Sequence, residues 1–409
     1  MMSSNVLHVI PAVAPRYGGP SVAVIGMCQA LRNAGLSTLV ATTDADGKSR
    51  LDVSEGEIED YEGVPMIFFP RQASEAYKFS RPLASWLRRN IRTFDIAHIH
   101  AVFSHSSVAA ARACLNAGVP YVLRPLGTLD PWSLNRHGWR KQVLIRFGAG
   151  RLLAGASAVH YTTREEKRLA EHGLPWLPRG TVIPLGVDDE LFAGTTRTNA
   201  SPYLLALCRL DPKKGIDLLI QAFHDVAKAG IGADWRLIIA GDGDAGYVSK
   251  LRTAAAAGEA RSRIVFEGWV SGDARFSLLR HATLFALPSS QENFGVALVE
   301  ALACGTPAIV TREVNLATDI ETSQAGWIVP RDPAGLAEAL GRVMRDRAAL
   351  ADRRARARTF AGPFRWGSVA ATLTGLYEDI LSRRAATSRH LGKIAEAPYR
   401  AWPGESTDR

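Results

Sequence analysis

The sequence of 409 residues predicts an α/β protein with two doubly wound domains that face each other across a cleft. Three observations predict this class: the length suits two ordinary domains, short apolar runs alternate with helical patterns, and the alternation restarts in the second half. The restart follows a polar stretch from Asp188 to Pro202 that has the composition of an interdomain linker. The predicted units are a first domain over 1–187, a second domain over 188–363, a helical segment over 364–385 and a polar tail over 386–409.

Seven strands, with helices between them, are predicted for the first half. The strand candidates are short apolar runs over residues 6–10, 37–41, 64–69, 96–100, 121–124, 158–161 and 181–183. Helical patterns fill the intervals over residues 21–33, 82–91, 107–116, 139–153 and 163–171. Strands that alternate with helices in this way predict a parallel sheet covered on both faces.

A second set of strands and helices follows the linker. Its strands are predicted over residues 203–207, 235–240, 264–266, 283–286, 308–311 and 327–329, and its helices begin near Lys214, Tyr247, Asp273, Gly295 and Pro333. Two such units are expected to bind ligands between the carboxyl ends of their strands. The segment from Phe364 is predicted to be helical through Leu381, and the residues after Arg384 are expected to be frayed.

The bulk composition indicates a folded protein, because 47% of the residues are apolar and 22% are charged. No apolar run reaches the ~18 residues that a membrane span requires. The N-terminus lacks a basic region and a cleavage signature, so we expect a first strand there and a cytoplasmic location. The four cysteines form no Cys-x-x-Cys pair, which argues against a zinc site or a disulfide framework.

The net charge of +9 indicates anionic partners. Between Ile96 and Thr163 only Asp130 is acidic, whereas the basic residues there are Arg112, Arg124, Arg136, Arg140, Lys141, Arg146 and Arg151. A basic amphipathic helix over 139–147, with Trp139, Val143 and Phe147 available to one face, would suit peripheral contact with an anionic membrane at the inner face of the cell membrane. The alternative is that these apolar residues pack inward. No motif accompanies the charge to indicate nucleic acid.

Two glutamates eight positions apart, Glu292 and Glu300, bracket a predicted helix start in the stretch from Pro288 to Pro307. At about 1.5 Å per residue they lie roughly 12 Å apart, with the positive end of the helix between them. Backbone N–H groups at the helix start suit a diphosphate, whereas the carboxylates suit sugar hydroxyls. The pattern fits a nucleoside-diphosphate sugar, with Glu300 at the ribose and Glu292 at the hexose. Two glutamates with this spacing, taken alone, are more often ordinary surface residues. The other sequence blocks of this chain change that interpretation.

Several further blocks occur in the order found in the retaining GT-B glycosyltransferases of family four, the glycosyl transferases of group 1, which the chain resembles. The blocks are Gly18-Gly19, Cys208 to Gly215, Ala240 to Gly243, Phe266 to Val270 and the stretch with both glutamates. The resemblance implies the GT-B fold, in which two Rossmann-like domains face a cleft and a C-terminal helix crosses back onto the first domain. It also implies transfer of a sugar from a nucleoside-diphosphate donor, with retained anomeric configuration and no metal.

Arg209 and Lys214 follow the first strand of the second domain and are expected to project into the cleft. Fixed cations there would stabilise the negative charge that a departing diphosphate accumulates. The alternative is a solvated basic loop, which also contains Lys213. Two Asp-x-Asp patterns, at 44–46 and 242–244, are similar to a metal-binding motif of another transferase architecture, but we reject both, and 242–244 falls in a glycine-rich turn. No metal or other cofactor is expected.

The resemblance also supplies the predicted donor site. Gly18-Gly19 lets the backbone approach a phosphate or sugar, although such a pair is more often a simple turn. The loop around Trp269 is expected at the height of the nucleobase, with a buried strand as the alternative. The predicted catalytic residues are Glu292, Arg209 and Lys214. The predicted donor-binding residues are Gly18, Gly19, Arg209, Lys214, Gly268, Trp269, Val270, Glu292, Asn293, Phe294, Gly295, Val296 and Glu300.

Many relatives place a histidine in the loop after the fifth strand, in contact with the donor sugar, and this chain has Leu126 there. A leucine side chain cannot make that hydrogen bond. Three residues are candidates to contact the sugar or the acceptor instead, each with a structural role as the alternative: His105, Arg124 and Asp130.

The predicted function is that of a retaining hexosyltransferase that works by metal-independent front-face transfer. GDP-mannose is the favoured donor, ahead of UDP-sugars. The expected acceptor is a saccharide or a lipid-pyrophosphate-linked saccharide in polysaccharide or surface-glycan assembly. The alternatives are a non-hydrolysing sugar-nucleotide epimerase, a phosphorylase, and a regulatory module that binds nucleotide sugars without turnover.

Overall fold

The computed structural model describes residues 4–73, 75–135, 150–193 and 201–395. Within these ranges the chain forms two large sheets, one parallel and one parallel except for an edge strand. Each is covered by helices on both faces, as the alternation of strands and helices predicted. None of the helices in this part of the chain is both long enough and apolar enough to cross a lipid bilayer.

The first domain contains an eight-stranded sheet in the order β10-β9-β8-β7-β1-β2-β6-β5. Its strands, with a small β3–β4 hairpin, are β1 (Asn5–Ala12), β2 (Ser37–Thr43), β3 (Ala45–Asp46), β4 (Ser49–Arg50), β5 (Ile58–Tyr61), β6 (Val64–Phe69), β7 (Ile96–His100), β8 (Tyr121–Arg124), β9 (Ala158–Tyr161) and β10 (Gly180–Val182). Every predicted strand is present. The edge strand β5, which is antiparallel to β6, was not predicted because two of its four residues are acidic and it forms no apolar run.

The helices of the first domain are α1 (Gly19–Asn33), α2 (Arg81–Asn90), α3 (His105–Ala117), α4 (Pro131–Asn135), α5 (Gly150–Ala154) and α6 (Arg164–Gly173). Side-chain hydroxyls fix several of the starts: Ser80, Ser104 and Thr163 accept N–H bonds from the residue three positions later. Of the basic helix predicted over 139–153, only the end is described, as α5. Its membrane-facing candidates Trp139, Arg140, Lys141, Val143, Arg146 and Phe147, and the nearby Arg136, lie outside the described residues.

The second domain contains a six-stranded parallel sheet in the order β13-β12-β11-β14-β15-β16. Its strands are β11 (Tyr203–Leu207), β12 (Arg236–Ala240), β13 (Ile264–Gly268), β14 (Leu284–Leu287), β15 (Ala308–Thr311) and β16 (Gly326–Val329). Its helices are α7 (Ile216–Lys228), α8 (Ala245–Ala256), α9 (Gly272–His281), α10 (Val296–Ala303), α11 (Ala317–Thr322), α12 (Pro333–Arg345) and α13 (Arg347–Ala361). The sequence interpretation missed α11, which is short, and α13, which has many arginines and few large apolar residues.

The last helix, α14 (Trp366–Ala395), packs against the first domain rather than the second. Val369, Leu373 and Tyr377 are buried against Met27 and Leu31 of α1. The chain therefore crosses between the domains a second time, where the N–H of Val187 donates to the carbonyl of Phe364 at 2.8 Å. The helix also runs past residue 385, so the fraying predicted after Arg384 is wrong as far as Ala395. Alanine, leucine and arginine are strong helix formers, which explains the extension.

Candidate active site between the two domains

The site lies where loops at the carboxyl ends of both sheets meet. The loop from Pro288 to Gly295, between β14 and α10, approaches two loops of the first domain. A Cβ atom added to Gly19 would lie 3.8 Å from the Val296 side chain, and one added to Gly127 would lie 2.9 Å from Cγ of Asn293. The glycine loop after β1 and the loop after β8 therefore both face the start of α10.

Lys214 and Glu292, two of the predicted catalytic residues, form an ion pair. Their side chains are only 18% and 16% exposed, so the pair is shielded from most solvent. Lys214 ends a single helical turn, Pro212–Lys214, in which the side chain of Asp211 accepts from the N–H of Lys213 at 3.0 Å. The N–H of Ser290 donates to the carbonyl of Lys213 at 2.7 Å, which joins the two loops that carry the pair.

Arg209, two residues after the end of β11, is exposed. Burial raises the pKa of the neighbouring Cys208 thiol to about 12, and the charges of Lys214, Glu292 and Arg209 also act on that thiol. Lys214 therefore contacts Glu292 directly, while Arg209 lies in the loop that joins β11 to Lys214.

Glu300, inside α10, is buried and forms an ion pair with Arg275 of α9. Burial raises the pKa of the Glu300 carboxyl, and the guanidinium of Arg275 opposes that rise. The sequence interpretation did not find Arg275, because no motif links α9 to the glutamates. Arg275 supplies the positive charge that a buried carboxylate needs.

The main chain around Glu292 is held on both sides. Its N–H donates to the carbonyl of Glu313 at 3.2 Å, and its carbonyl accepts from the N–H of Asn315 at 2.9 Å. The ring of Phe294 is buried 5.8 Å from that of Phe364, so Phe294 anchors the loop in the core and its side chain is not free to bind a ligand. Gly295 then caps α10, and the first N–H groups of a helix lack intrahelical acceptors.

In the first domain, Gly18 has φ of +71°, a conformation that favours glycine, and it precedes α1 directly. Beside it lies a polar cluster that the sequence interpretation missed. The hydroxyl of Tyr17 donates to Oε1 of Glu75 at 2.5 Å, and Nζ of Lys78 donates to the same oxygen at 2.8 Å. Burial, helped by Glu75, raises the pKa of Tyr17 to about 12.

The loop after β8 contains Leu126, which has φ of +57°. The N–H of the next residue, Gly127, donates to the buried carboxylate of Glu166 at 2.6 Å. Further along, Asp130 accepts from the N–H of Ser133 at 2.6 Å and from Nε2 of Gln291 at 3.2 Å. Asp130, an acceptor-side candidate, thus contacts the neighbour of Glu292 in the other domain.

The other two candidates lie elsewhere. Arg124 is 1% exposed, and its Nη1 lies 3.3 Å from Nδ1 of His100, so it does not line the cleft. Burial lowers the pKa of Arg124 to about 10. His105 begins α3, where its Nδ1 accepts from the N–H of Ser80 at 3.2 Å and its ring contacts Phe79. The described contacts of both residues are therefore structural.

Arg124 borders a layer of four fully buried histidines in the first domain, which we name the histidine layer: His8, His98, His100 and His160. Within it, His8 and His100 are 3.1 Å apart, and His98 and His160 are 3.2 Å apart, measured between ring nitrogens. Ring nitrogens of His8, His98 and His100 lie within 4.8 Å of one another, a spacing compatible with metal ligation. The positive charge of the Arg124 guanidinium, beside His100, would repel a metal cation bound at these histidines.

At one edge of the second sheet, β13 ends at Gly268, whose carbonyl accepts from the N–H of Gly241 at 2.6 Å. Trp269 is 67% exposed, while Val270 packs partly on the core. Asp242 accepts from the N–H of Gly243 and Asp244 caps α8, so both serve the turn as predicted. In the first domain, Asp44 and Asp46 form ion pairs with Arg50 and Arg16.

Two family profiles match the chain, one in each domain. Residues 17–191 match the profile described as Glycosyltransferase Family 4. Residues 201–346 match the profile described as Glycosyl transferases group 1. The two matches cover both sides of the cleft.

The chain is also similar to curated glycosyltransferases. It is 30% identical over 231 residues to a D-inositol 3-phosphate glycosyltransferase of Acidothermus cellulolyticus, covering 52% of this chain and 51% of that protein. It is 31% identical over 214 residues to a phosphatidyl-myo-inositol mannosyltransferase of Mycobacterium tuberculosis, covering 48% of this chain and 53% of that protein. The chain thus spans about half the length of these curated relatives.

Solved structures share the fold over nearly the whole chain. Sucrose-phosphate synthase from Thermosynechococcus elongatus matches with a TM-score of 0.72 at 18% identity, covering 93% of this chain and 100% of that chain. Anabaena HepE in complex with UDP-glucose matches with a TM-score of 0.72 at 19% identity, covering 92% and 99%. The resemblance inferred from the sequence blocks is therefore confirmed: the chain belongs to the group 1 glycosyltransferases of family 4 and has the GT-B fold.

Proposed function

We propose that the protein transfers a hexose from a nucleoside-diphosphate sugar to a saccharide or lipid-linked saccharide, with retention of anomeric configuration and without a metal. The observation that carries this proposal is the ion pair of Lys214 and Glu292 beside the start of α10, facing the glycine loop of the other domain. A cation, a helix N-terminus and a carboxylate then meet at one point, which suits a diphosphate with a sugar attached.

In this mechanism, Lys214 and Arg209 neutralise the diphosphate as its bond to the anomeric carbon breaks. Their contribution grows in the transition state because negative charge on the leaving oxygen increases. The acceptor hydroxyl attacks from the face that the diphosphate leaves, and the leaving phosphate oxygen takes the hydroxyl proton. Glu292 orients the hexose by accepting hydrogen bonds from its hydroxyls. Its pairing with Lys214 holds both side chains at the reacting centre.

Glu300 is proposed to accept hydrogen bonds from the ribose hydroxyls of the donor. Its burial favours the protonated form, and the adjacent Arg275 favours the carboxylate that accepts two hydrogen bonds. The exposed Trp269 and the main chain at Gly268 are proposed to contact the nucleobase.

The donor we favour is GDP-mannose. Support comes from the similarity to relatives that include a GDP-mannose-dependent phosphatidylinositol dimannoside mannosyltransferase of Mycobacterium tuberculosis. A UDP-sugar remains the second choice, since the fold is shared with a protein solved with UDP-glucose. Contact of the basic segment 139–147 with an anionic membrane would bring the first domain to a lipid-linked acceptor.

The test is a screen of nucleoside-diphosphate sugars in which nucleotide release is followed with and without saccharide acceptors. We expect release that depends on the acceptor, an unchanged rate with a chelator, and a product whose anomeric proton shows the donor configuration by nuclear magnetic resonance. Release without any acceptor would instead indicate an epimerase or a hydrolase. Donor binding without release under any condition would indicate a regulatory module.

A further inference from the structure

A chain of hydrogen bonds crosses the cleft immediately beside Glu292. Nδ2 of Asn293, in the second domain, donates to Oγ1 of Thr162, in the first domain, at 3.0 Å. On its other side, Oδ1 of Asn293 accepts from Nδ2 of Asn315 at 3.1 Å. The amide of Asn293 therefore joins the loop that carries Glu292 to both domains.

This chain of hydrogen bonds ends in the first domain at Glu166, whose side chain is buried. One carboxylate oxygen accepts from the N–H and the hydroxyl of Thr162, each at 2.7 Å, and the other accepts from the N–H of Gly127 at 2.6 Å. A hydroxyl has a single proton, so when Thr162 donates to Glu166 its oxygen is left to accept from Asn293. The buried carboxylate thereby determines which group donates and which group accepts in each hydrogen bond that crosses the cleft here.

The same carboxylate holds the loop that contacts Asn293. Gly127 lies so close to Asn293 that an added Cβ would be 2.9 Å from its Cγ. On the other flank of Glu292, Gln291 donates to Asp130, at the end of that loop. Glu292 is thus bracketed by two interdomain contacts, through the residue before it and the residue after it.

We propose that Asn293, Thr162 and Glu166 form a positioning relay that couples closure of the two domains to the placement of Glu292. The predicted effect of the relay on the reaction rate rests on the proposed function. Its predicted effect on closure of the two domains does not depend on that function. When the domains separate, Asn293 loses its hydrogen bond to Thr162, and only contacts within the second domain then hold the loop that carries Glu292. When they close, the buried carboxylate of Glu166 fixes the amide of Asn293 and with it the adjacent main chain.

The experiment compares Asn293→Ala and Thr162→Val with a matched control, Arg164→Ala. Arg164 also crosses the cleft, to Asp319 at 3.4 Å, but its side chain is 84% exposed, so this ion pair contributes little. We expect both relay variants to lower kcat about tenfold or more while KM for the donor changes less than about threefold, as for loss of a shielded hydrogen bond. Thr162→Ser keeps the hydroxyl and should restore most of the rate.

The double variant Asn293→Ala with Thr162→Val should lose clearly less than the sum of the two single losses, because both changes remove the Asn293–Thr162 bond. Additive losses, or single variants within about twofold of the parent rate, would overturn the relay. A readout without activity is the radius of gyration from small-angle scattering, which should rise in both relay variants and not in Arg164→Ala. If no sugar transfer is found with any donor, the proposed function fails while this scattering comparison still decides the relay; equal radii would refute it.

Discussion

Lys214 and Glu292 come from loops that follow adjacent strands, β11 and β14, and their side chains form an ion pair shortly before the start of α10. In the proposed reaction, the ammonium serves the leaving diphosphate and the carboxylate serves the sugar. The pair holds both groups in place before a donor arrives, which lowers the reorganisation that the reaction requires.

Replacing Lys214 with alanine should lower kcat by about 100-fold or more, because a fixed charge near a departing oxyanion contributes on this scale. The measurement is steady-state nucleotide release with the preferred donor. Lys250→Ala, which removes an exposed lysine from α8, is the matched control and should leave kcat unchanged. A Lys214→Ala protein with parental kcat would contradict the assigned role.

Arg275→Met should destabilise the second domain by about 3 kcal/mol, because it leaves the buried Glu300 carboxylate without its cation. The raised pKa of Glu300 determines how stability depends on pH. The folded state holds the Glu300 proton more tightly than the unfolded state, so stability falls as pH rises above the ordinary carboxyl range. The deficit of Arg275→Met should therefore be larger at pH 7 than at pH 5.

Urea unfolding at the two pH values measures this deficit. Adding Glu300→Gln to Arg275→Met should recover most of the lost stability, since a neutral amide needs no counter-charge. Arg312→Met, at an exposed pair with Glu321, is the control and should change stability little. A pH-independent deficit would show that Arg275 acts through packing alone.

The histidine layer should make folding sensitive to acid. Burial lowers the pKa of all four rings, to about 3 for His8 and His160. Unfolded histidines bind protons below about pH 6.5, so stability is lost as pH falls from there toward 3, by about 1.4 kcal/mol per pH unit for each ring. At pH 5.5, unfolding should take up about 0.9 proton at each of His8 and His160, about two together, with further uptake at His98 and His100.

Calorimetric unfolding in buffers of different ionisation enthalpy gives the number of protons taken up. His172→Gln, which removes an exposed histidine on α6, is the control variant. Uptake near zero at pH 5.5 would mean that the buried rings are already protonated in the folded protein.

Gly127→Ala should lower kcat, whereas its loss of stability should be no larger than that of a control glycine variant. The new methyl group would lie 2.9 Å from Cγ of Asn293, at the interdomain contact. Gly118→Ala is a close control, because Gly118 has a similar positive φ but no neighbour within 4 Å of an added Cβ. Both variants should lose about 1 kcal/mol of stability through backbone strain, and only Gly127→Ala should lower kcat.

Much of the fold and the centre of the site followed from the sequence. Lys214 was predicted to face the cleft because it follows the first strand of the second domain, and Glu292 because it precedes a helix start in a block that resembles the family. Arg275 was not predicted, because its partner is set by how α9 packs on α10 and no local pattern records that packing.

Thr162 and Glu166 were also missed, although one signal was available. Thr163 and Glu166 have the spacing of a capping box, which marks the start of α6. In the structure, Glu166 reaches Thr162 and Gly127 instead of the N–H of the cap residue, a choice that depends on the neighbouring loop. Arg124 was placed in the cleft, yet β8 directs it into the histidine layer. The alternation of His98 and His100 along β7 indicated that a polar face was buried there.

Because α14 completes the core of the first domain, that domain is built from two distant pieces of the polypeptide. A fragment that stops at the linker would leave the apolar surface around Met27 and Val6 uncovered, and we expect it to aggregate. Attempts to express the two lobes separately should therefore excise the intervening segment and rejoin the first lobe to α14, rather than cut the gene once.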